Sequence, residues 1–588
     1  TLGQLTKKEL WGGSQPGAVN PVTEYAYDGY GNLLTTKDPN GHVSTITYDN
    51  DFYFFPLQVK NAKNHVVAKE YYGVNGIPLD NGAGYHGLWG QVRSIKDPNS
   101  QTGGKTYDTF GRLVATVSPL DSIAFPTTSV EYDLTSSGTK VITHQREAHG
   151  KPGTIDTVSF YDGLGRLIQS KSETGYMGQF VVSGQTEYNS RGLPQKKYLP
   201  RFTNTSITTA DPIDTSVAHT TIAYDAMGRA VQTTNPDGTC ATVIYDDLTT
   251  TAIDENGHKQ ASIVDAYGRF VQKQEYTGAD GRSLYYPTQA YSLYTTTNYS
   301  YDSEGNLTQV QDALGNVTTI SYDALGRKIA MDDPDMGYWE YEYDPVGNLI
   351  WQKDAKNQVI TFTYDEINRL TNKTDGAALN VNYTYDATSL MPIEALADDD
   401  LQVLSASVNF SKSLSSLEGL PPAPPTMEPN YGIGRLTKAS YPTADQSRFV
   451  YDVLGREKSS TKKIDTASYQ VRRSYDAANR PIILSYPDQA KLIYTYNNAG
   501  QIDSVSEILP GNSLSSAKEE GGRIQDPARL DMKNFYNHRL KKSSPDIKQN
   551  ILQYQNSFFH RKAGQQSQDK GEMKFLGHIR KVFVDAEP

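Results

Sequence analysis

The sequence predicts an all-β fold, a repetitive strip of antiparallel β-hairpins, and three observations carry that prediction. Tyrosine occurs 41 times against 17 phenylalanines and four tryptophans, and such rings suit a pleated, half-buried surface. The dipeptide Tyr-Asp occurs fourteen times, at Tyr27, Tyr48, Tyr107, Tyr132, Tyr161, Tyr224, Tyr245, Tyr301, Tyr322, Tyr343, Tyr364, Tyr385, Tyr451 and Tyr475. Turn-forming strings recur every 10 or 11 residues through much of the chain. A length of 588 residues would otherwise suggest about four ordinary domains; the repeat replaces them with one quasi-periodic array.

The first turn of each repeat follows the Tyr-Asp pair. Asp28 opens DGYGNL, Asp108 DTFGRL, Asp162 DGLGRL, Asp225 DAMGRA, Asp302 DSEGNL, Asp323 DALGRK, Asp344 DPVGNL and Asp452 DVLGRE. Aspartate at the first position hydrogen-bonds back onto the turn backbone, and glycine at the fourth tolerates positive φ. In a hairpin this reads as a type I turn followed by a glycine bulge, with the next Arg or Asn starting the returning strand. A second turn lies halfway to the next repeat: DPNG from Asp38, NPDG from Asn235, DENG from Asp254, DALG from Asp312 and DAKN from Asp354.

Subtracting about four residues per turn leaves strands of about six or seven, an ordinary strand length. In VTTISYD (Val317–Asp323) and VITFTYD (Val359–Asp365), alternation places Ile320 with Tyr322, and Ile360 with Phe362 and Tyr364, on one face. Thr and Ser occupy the other. A single hairpin is marginal, whereas hairpins laid side by side bury a continuous face. Because sheets twist and long open sheets curl, the strip is expected to coil on itself.

The strings from Tyr27 to Tyr475 resemble the YD-repeat, or Rhs-repeat, family over roughly residues 25–510. Ser159–Gly175, Glu187–Pro200, Ala223–Thr239 and Asp254–Gln272 are similar to the B component of bacterial insecticidal toxin complexes and to virulence-plasmid proteins of that type. The resemblance implies a hollow YD-shell, complete or incomplete, enclosing an unfolded C-terminal toxic polypeptide until delivery. It also implies a secreted or cell-surface bacterial protein.

Several stretches depart from the pattern. Residues 1–24 form a leader outside the repeats. Residues 50–100 read as irregular, with Asp80–Gly90 as a decorated loop, and 176–222 and 273–298 read as longer connections. An insertion over 387–430 contains SLSSLEGLPPAPPTMEP (Ser413–Pro429), whose prolines cannot donate ladder hydrogen bonds. It reads as a solvated loop or a partner-binding lid. The tail, 511–588, carries 14 Lys+Arg against nine Asp+Glu, whereas the rest of the chain carries 42 against 58. Its apolar residues suggest a helix over 545–561. The tail is read as a cationic effector, a linker or cap, or sequence foreign to the repeats. The conserved-type core with an aspartate self-cleavage site that the resemblance would imply has no recognisable match there.

Composition bounds the chemistry. The net charge of −11 and the lack of a broad basic surplus argue against a nucleic-acid partner. No apolar run approaches a membrane-spanning length. One cysteine, Cys240, excludes an internal disulfide framework, which fits a reducing compartment or an exported bacterial protein that avoids thiols. The chain begins at Thr1 without a signal-like segment and is expected to be processed or a fragment. Fourteen carboxylates beside phenols invite a glycosidase reading, yet a catalytic pair should be singular, so turn capping is the stronger reading. His144 and His149 flank Glu147 without forming HExxH. His538, His560 and His578 could serve an effector or lie scattered on the surface. Cys240 is expected to be a buried structural thiol. No catalytic, cofactor or metal site is assigned.

The expected function is therefore non-enzymatic: a toxin shell or scaffold that encloses or presents a polypeptide cargo, with a partner toxin subunit. The alternatives are an adhesion protein contacting cell-surface glycans and a polymorphic toxin with an enzymatic tail.

Overall fold

The computed structural model describes residues 3–10, 20–386, 391–392, 427–428, 432 and 434–508, less 81–83, 85, 136–137, 147–149, 151, 174–177, 284, 443–445, 453–454, 465–466, 476–478 and 497–501. The bulk of the 387–430 insertion, the 511–588 tail with its expected helix and histidines, and Glu147 and His149 lie outside the described residues.

Every described strand pairs antiparallel with its neighbours, and no helix occurs among the described residues. The chain falls into two units, one running to Pro487 and one beginning at Asp488. The first unit contains two long sheets. One has 15 strands and follows chain order from Lys7–Glu9 to Phe180–Ser183, ending on Arg201–Thr203. The other starts at Thr186–Tyr188, continues through Pro194–Tyr198 and His219–Tyr224, and follows chain order to Pro481–Ser485. In the second unit, Lys491–Tyr496 pairs with Ile502–Ile508, with Ile493 opposite Ser506. The two-residue ladder of Met391–Pro392 with Met427–Glu428 brings together the two ends of the insertion.

The hairpin rhythm is as expected, but the returning strands are shorter. Leu307–Gln311, Leu349–Lys353 and Leu370–Thr374 each have five residues. The reason lies in the turn. The residue after the glycine closes the loop instead of starting the strand: the Asp302 amide donates to the Asn306 carbonyl and the Asp344 amide to the Asn348 carbonyl. The ladder register then shifts by one at the Tyr of these turns, as at Ser300/Tyr301 and Glu342/Tyr343, which is a bulge; at Tyr132 and Tyr245, where no such glycine turn follows, the ladder runs without a shift. Alternation holds. Along Val317–Tyr322, Thr319 and Ser321 are exposed while Ile320 and Tyr322 are half-buried.

Most strand side chains are half-buried, and fully buried apolar residues are scattered along the chain. One compact cluster of buried residues joins Phe55, Tyr71 and Val74, with Leu57 and Val92 against it. A hairpin strip one sheet thick cannot build a thick core, which accounts for the polar composition.

The stretch over 50–100 is more regular than its sequence suggests. Pro56–Lys60, Val66–Tyr71 and Val92–Lys96 continue the ladder. Only the turn chemistry changes. Buried Asp49 replaces the usual turn by accepting backbone N–H bonds from Phe52, Phe54 and Phe55 at 2.5, 2.8 and 2.7 Å. The leader likewise contributes a strand, Lys7–Glu9, paired to Val22–Tyr27. The stretches 176–222 and 273–298 also contain strands; Phe270–Ala279 pairs with Gln289–Tyr301 as a long hairpin.

Where one sheet gives way to the other, a buried charge cluster fixes the connection. Lys171 is fully buried, and its Nζ donates to Asp211 Oδ1 and Thr205 Oγ1 at 2.7 Å each and to the Ser206 carbonyl at 3.1 Å. Arg201 reaches Asp211 Oδ2 at 2.9 Å. Gln169 accepts from the Asp211 amide at 2.8 Å. Burial pushes the Asp211 carboxyl up, but the hydrogen bonds from Lys171, Thr205 and Arg201 outweigh it and hold the group well below the ordinary carboxylate range. Removing one partner of such a pair leaves a buried charge uncompensated. Lys171→Met should therefore cost about 3–5 kcal/mol in urea unfolding; a loss below about 1 kcal/mol would show that the cluster does not hold this junction.

Candidate functional site

The site that recurs throughout the chain is the Tyr-Asp turn. In the Asp162 turn, Oδ1 accepts the backbone N–H of Leu164 and of Arg166, both at 2.9 Å. Oδ2 accepts Arg166 Nε at 2.7 Å. The Asp108, Asp225, Asp323 and Asp365 turns repeat this clamp, as does the Asp265 turn that follows Val264 instead of a tyrosine, each with Arg Nε at 2.7 Å. Where Asn follows the glycine, its Nδ2 fills the same place, at 2.8 Å in the Asp302 turn and 3.0 Å in the Asp344 turn. That is why the motif accepts Arg or Asn there: either donor reaches the aspartate four residues back.

Each arginine also joins its repeat to the next. The guanidinium of Arg327 lies 5.0 Å from the Tyr343 ring centre, and that of Arg369 lies 4.5 Å from Tyr385, within cation–π range. Arg327 Nη1 donates to the Asp344 carbonyl at 3.1 Å. The tyrosine hydroxyl reaches back across the hairpin. Tyr322 donates to Leu307, Tyr364 to Leu349, Tyr385 to Leu370 and Tyr451 to Leu436, each at 2.8 Å. Burial pushes these phenols up at Tyr322, Tyr364 and Tyr385. The turns thus form one rim of the strip, with aspartates, arginines and tyrosines linked from repeat to repeat.

Within the first unit, this rim meets the opposite rim of strands far away in sequence. Asn40 Nδ2 donates to Asp323 Oδ2 at 3.1 Å, across 283 residues. Lys63 Nζ donates to Asp344 Oδ2 at 3.1 Å, across 281 residues. Asn99 Nδ2 donates to Asp365 Oδ2 at 3.2 Å, across 266 residues. The donors are the third residues of the turns beginning at Asp38, Asn61 and Asp97. Their acceptors are the first residues of three successive Tyr-Asp turns. The strip therefore returns on itself through a seam of turn-to-turn bonds, as the expected coiling required. Asp344 is the most enclosed of the three carboxylates, its side chain 5% exposed. Burial pushes it up, yet hydrogen bonds from Asn348, Lys63 and the Val346 amide hold it below its ordinary value.

The other residues singled out by sequence are dispersed. His144 lies on Gly138–Arg146, its Nδ1 2.7 Å from Asp156 Oδ1 and its Nε2 3.5 Å from Glu131 Oε1. Cys240 does begin a strand, Cys240–Asp246, but it is half-buried rather than buried. Arg282 Nη1 donates to its carbonyl at 2.8 Å. No three His, Cys, Asp or Glu side chains among the described residues are grouped to hold a metal ion. The repeat arginine was legible only as the start of a strand, and the seam donors had no signal beyond their turn position.

The RHS Repeat family matches residues 301–335 and 343–379, which include the three seam acceptors Asp323, Asp344 and Asp365. These two stretches carry the RHS repeat. No curated protein matches it at the level of sequence. Among solved structures, the RHS-repeat chain shares its fold with TcdB2–TccC3–Cdc42, at 13% identity and a TM-score of 0.51 over 85% of this chain. TcdB2–TccC3–TEV matches at 13% identity with a TM-score of 0.53 over 86%. The Tc holotoxin pore of Photorhabdus luminescens matches at 13% identity with a TM-score of 0.52 over 86%. The chain spans about a third of those chains, 32%, 32% and 31% of their respective lengths.

Two outcomes follow from the rim chemistry. Hydrogen bonds from the Arg166 and Arg229 amides and side chains hold Asp162 and Asp225 below the ordinary value of 3.8. The unfolded chain then binds protons more readily than the folded one. Stability from these turns should be complete above that ordinary value and fall as pH drops through the lower folded values, read as a declining urea midpoint. A midpoint unchanged under acid would contradict the clamp. At the seam, Lys63→Met should cost about 1.5–3 kcal/mol and exceed the cost of Asn40→Ala. Amide exchange should quicken at the Asp323, Asp344 and Asp365 turns together; acceleration at Asp344 alone would mean that the three contacts do not form one seam.

Proposed function

We propose that the chain is a wall-forming component of a bacterial secreted or surface-delivered toxin shell, and that it encloses or presents a polypeptide cargo. The observation that carries this reading is the seam. A strip whose two rims recognise each other over more than 260 residues is built to make a continuous wall. The RHS repeats and the fold shared with TcdB2–TccC3 support the same reading. The candidate cargo is the cationic 511–588 tail, whose 14 Lys+Arg complement the acidic repeat region. A partner subunit of the toxin type would supply the remainder of the wall.

The turn carboxylates support a scaffold over an enzyme, because each is engaged by its own turn. The adhesion reading gains nothing from the repeat tyrosines, since their hydroxyls are bonded into the hairpins rather than offered to a sugar.

Protease protection tests the enclosure. A tag appended after Pro588 should survive trypsin at least about tenfold longer in the intact protein than in the Asn40→Ala/Lys63→Met/Asn99→Ala protein, the comparison being a rate ratio set by the opening equilibrium. Equal rates of tag loss would remove the tail as enclosed cargo.

A further inference from the structure

The seam takes its donors from one rim of the strands between Val22 and Val117. The opposite rim of the same strands carries aromatic rings. Tyr30, at the tip of the Asp28 turn, is 68% exposed, and Phe54, in the Asp49 loop, is 66% exposed. Trp89, in the connection from Tyr71 to Val92, is 52% exposed, and Phe110, at the tip of the Asp108 turn, 81%. These turns follow one another along a single sheet, and their side chains touch. The Tyr30 and Tyr53 rings stack with centres 4.4 Å apart. Phe52 meets Trp89 edge-on at 5.0 Å. Leu88 lies over Gly111, where an added Cβ would stand 3.3 Å from its Cδ1, and Gln91 Nε2 donates to the Gly111 carbonyl at 2.9 Å. The rings therefore form one continuous exposed row.

The row is fixed by its own turns. Asp49 holds its loop through the Phe52, Phe54 and Phe55 amides. That loop places Tyr53 at a φ of 55°, a left-handed conformation uncommon for a bulky residue, and such outliers collect at ligand contacts. Asn32 Nδ2 donates to the Tyr53 carbonyl at 2.5 Å and ties the loop to the Asp28 turn. Apolar surface gathered in one exposed place marks a site of contact.

The surroundings of the rings select the partner. A sugar would need hydrogen-bonding groups beside them, but Asp28, Asp49 and Asp108 are engaged by their own turns, and Arg112 is engaged by Asp108. Turn tips project, so they offer a peptide neither a groove nor a strand edge. Carboxylates set among aromatic faces suit a quaternary ammonium, and aromatic side chains settle in the headgroup layer of a bilayer. We propose that this rim, from Tyr30 to Phe110, is a membrane-docking edge that rests on a phosphatidylcholine surface without crossing it. The inference goes beyond the shell reading and does not need the enclosed tail.

Flotation of the full chain with phosphatidylcholine vesicles tests the edge. The wild type should float with them. Phe54→Ser with Phe110→Ser should weaken that binding at least about tenfold at an unchanged melting temperature. Leu164→Ser with Met227→Ser removes comparably exposed tips that lie outside the row, and should leave binding as it is. Replacing half of the phosphatidylcholine by phosphatidylserine should weaken binding, because the rim carboxylates repel the added anionic lipid. Should the ring variant not fold, brominated phosphatidylcholine gives a reading on the wild type: it should quench tryptophan fluorescence, and Trp89→Phe should remove most of that quenching. The proposal is overturned by a wild type that stays unbound, by a ring variant that floats as the wild type does, by an equal loss in the Leu164→Ser/Met227→Ser protein, or by tighter binding to the serine-containing vesicles. Binding of the row to a glycan in place of vesicles would overturn it too. Tag protection reads the enclosure separately, so either reading can fail alone.

Discussion

The structure depends on one carboxylate arrangement. An aspartate at the first turn position accepts two backbone amides with one oxygen and the side chain of the fourth following residue with the other. Asp162 shows it with Leu164, Arg166 and the Arg166 guanidinium. The three contacts fix a five-residue reversal without help from a core. That matters because hairpins alone are marginal, and a strip one sheet thick has little interior to stabilise them. Locally self-sufficient turns let the array run for hundreds of residues on half-buried strands.

Tyrosine and arginine carry this local order from one repeat to the next. The ring covers the preceding arginine, and the hydroxyl bonds a carbonyl across the hairpin, as Tyr385 does with Arg369 and Leu370. Phenylalanine could supply the ring surface but not the hydroxyl bond, which explains 41 tyrosines against 17 phenylalanines. The residue is chosen for an apolar body with a polar tip, at the boundary between sheet face and turn.

Much of this was legible in the sequence because its cause is local. The Asp-x-x-Gly spacing, the 10-and-11 rhythm and the alternation in Val317–Asp323 each report contacts within a few residues, so the hairpins and their faces could be read directly. Residues 50–100 misled because Asp49 anchors its loop through Phe52, Phe54 and Phe55 without the glycine signature. The Lys171–Asp211 cluster was not legible, since a lysine in a strand gives no sign that an aspartate 40 residues later will bury it. The seam lay further still from sequence reasoning. Asn40, Lys63 and Asn99 are ordinary turn residues, and only the curvature accumulated over many strands brings them to Asp323, Asp344 and Asp365.

The same carboxylates thus serve two purposes, and this decides what they can do chemically. A general acid must hold its proton near neutral pH, which requires a raised pKa. The seam aspartates lie in the opposite direction. Burial pushes Asp344 and Asp365 up, yet the bonds from their own turns and from Lys63 or Asn99 keep both below the ordinary value. They remain ionised acceptors, suited to receiving donors from another rim. Protonation would weaken the turn clamp and the rim contact together, because Oδ2 takes part in both. Turn geometry and rim-to-rim recognition are therefore a single electrostatic device, and the wall is held at its joints by the groups that shape its hairpins.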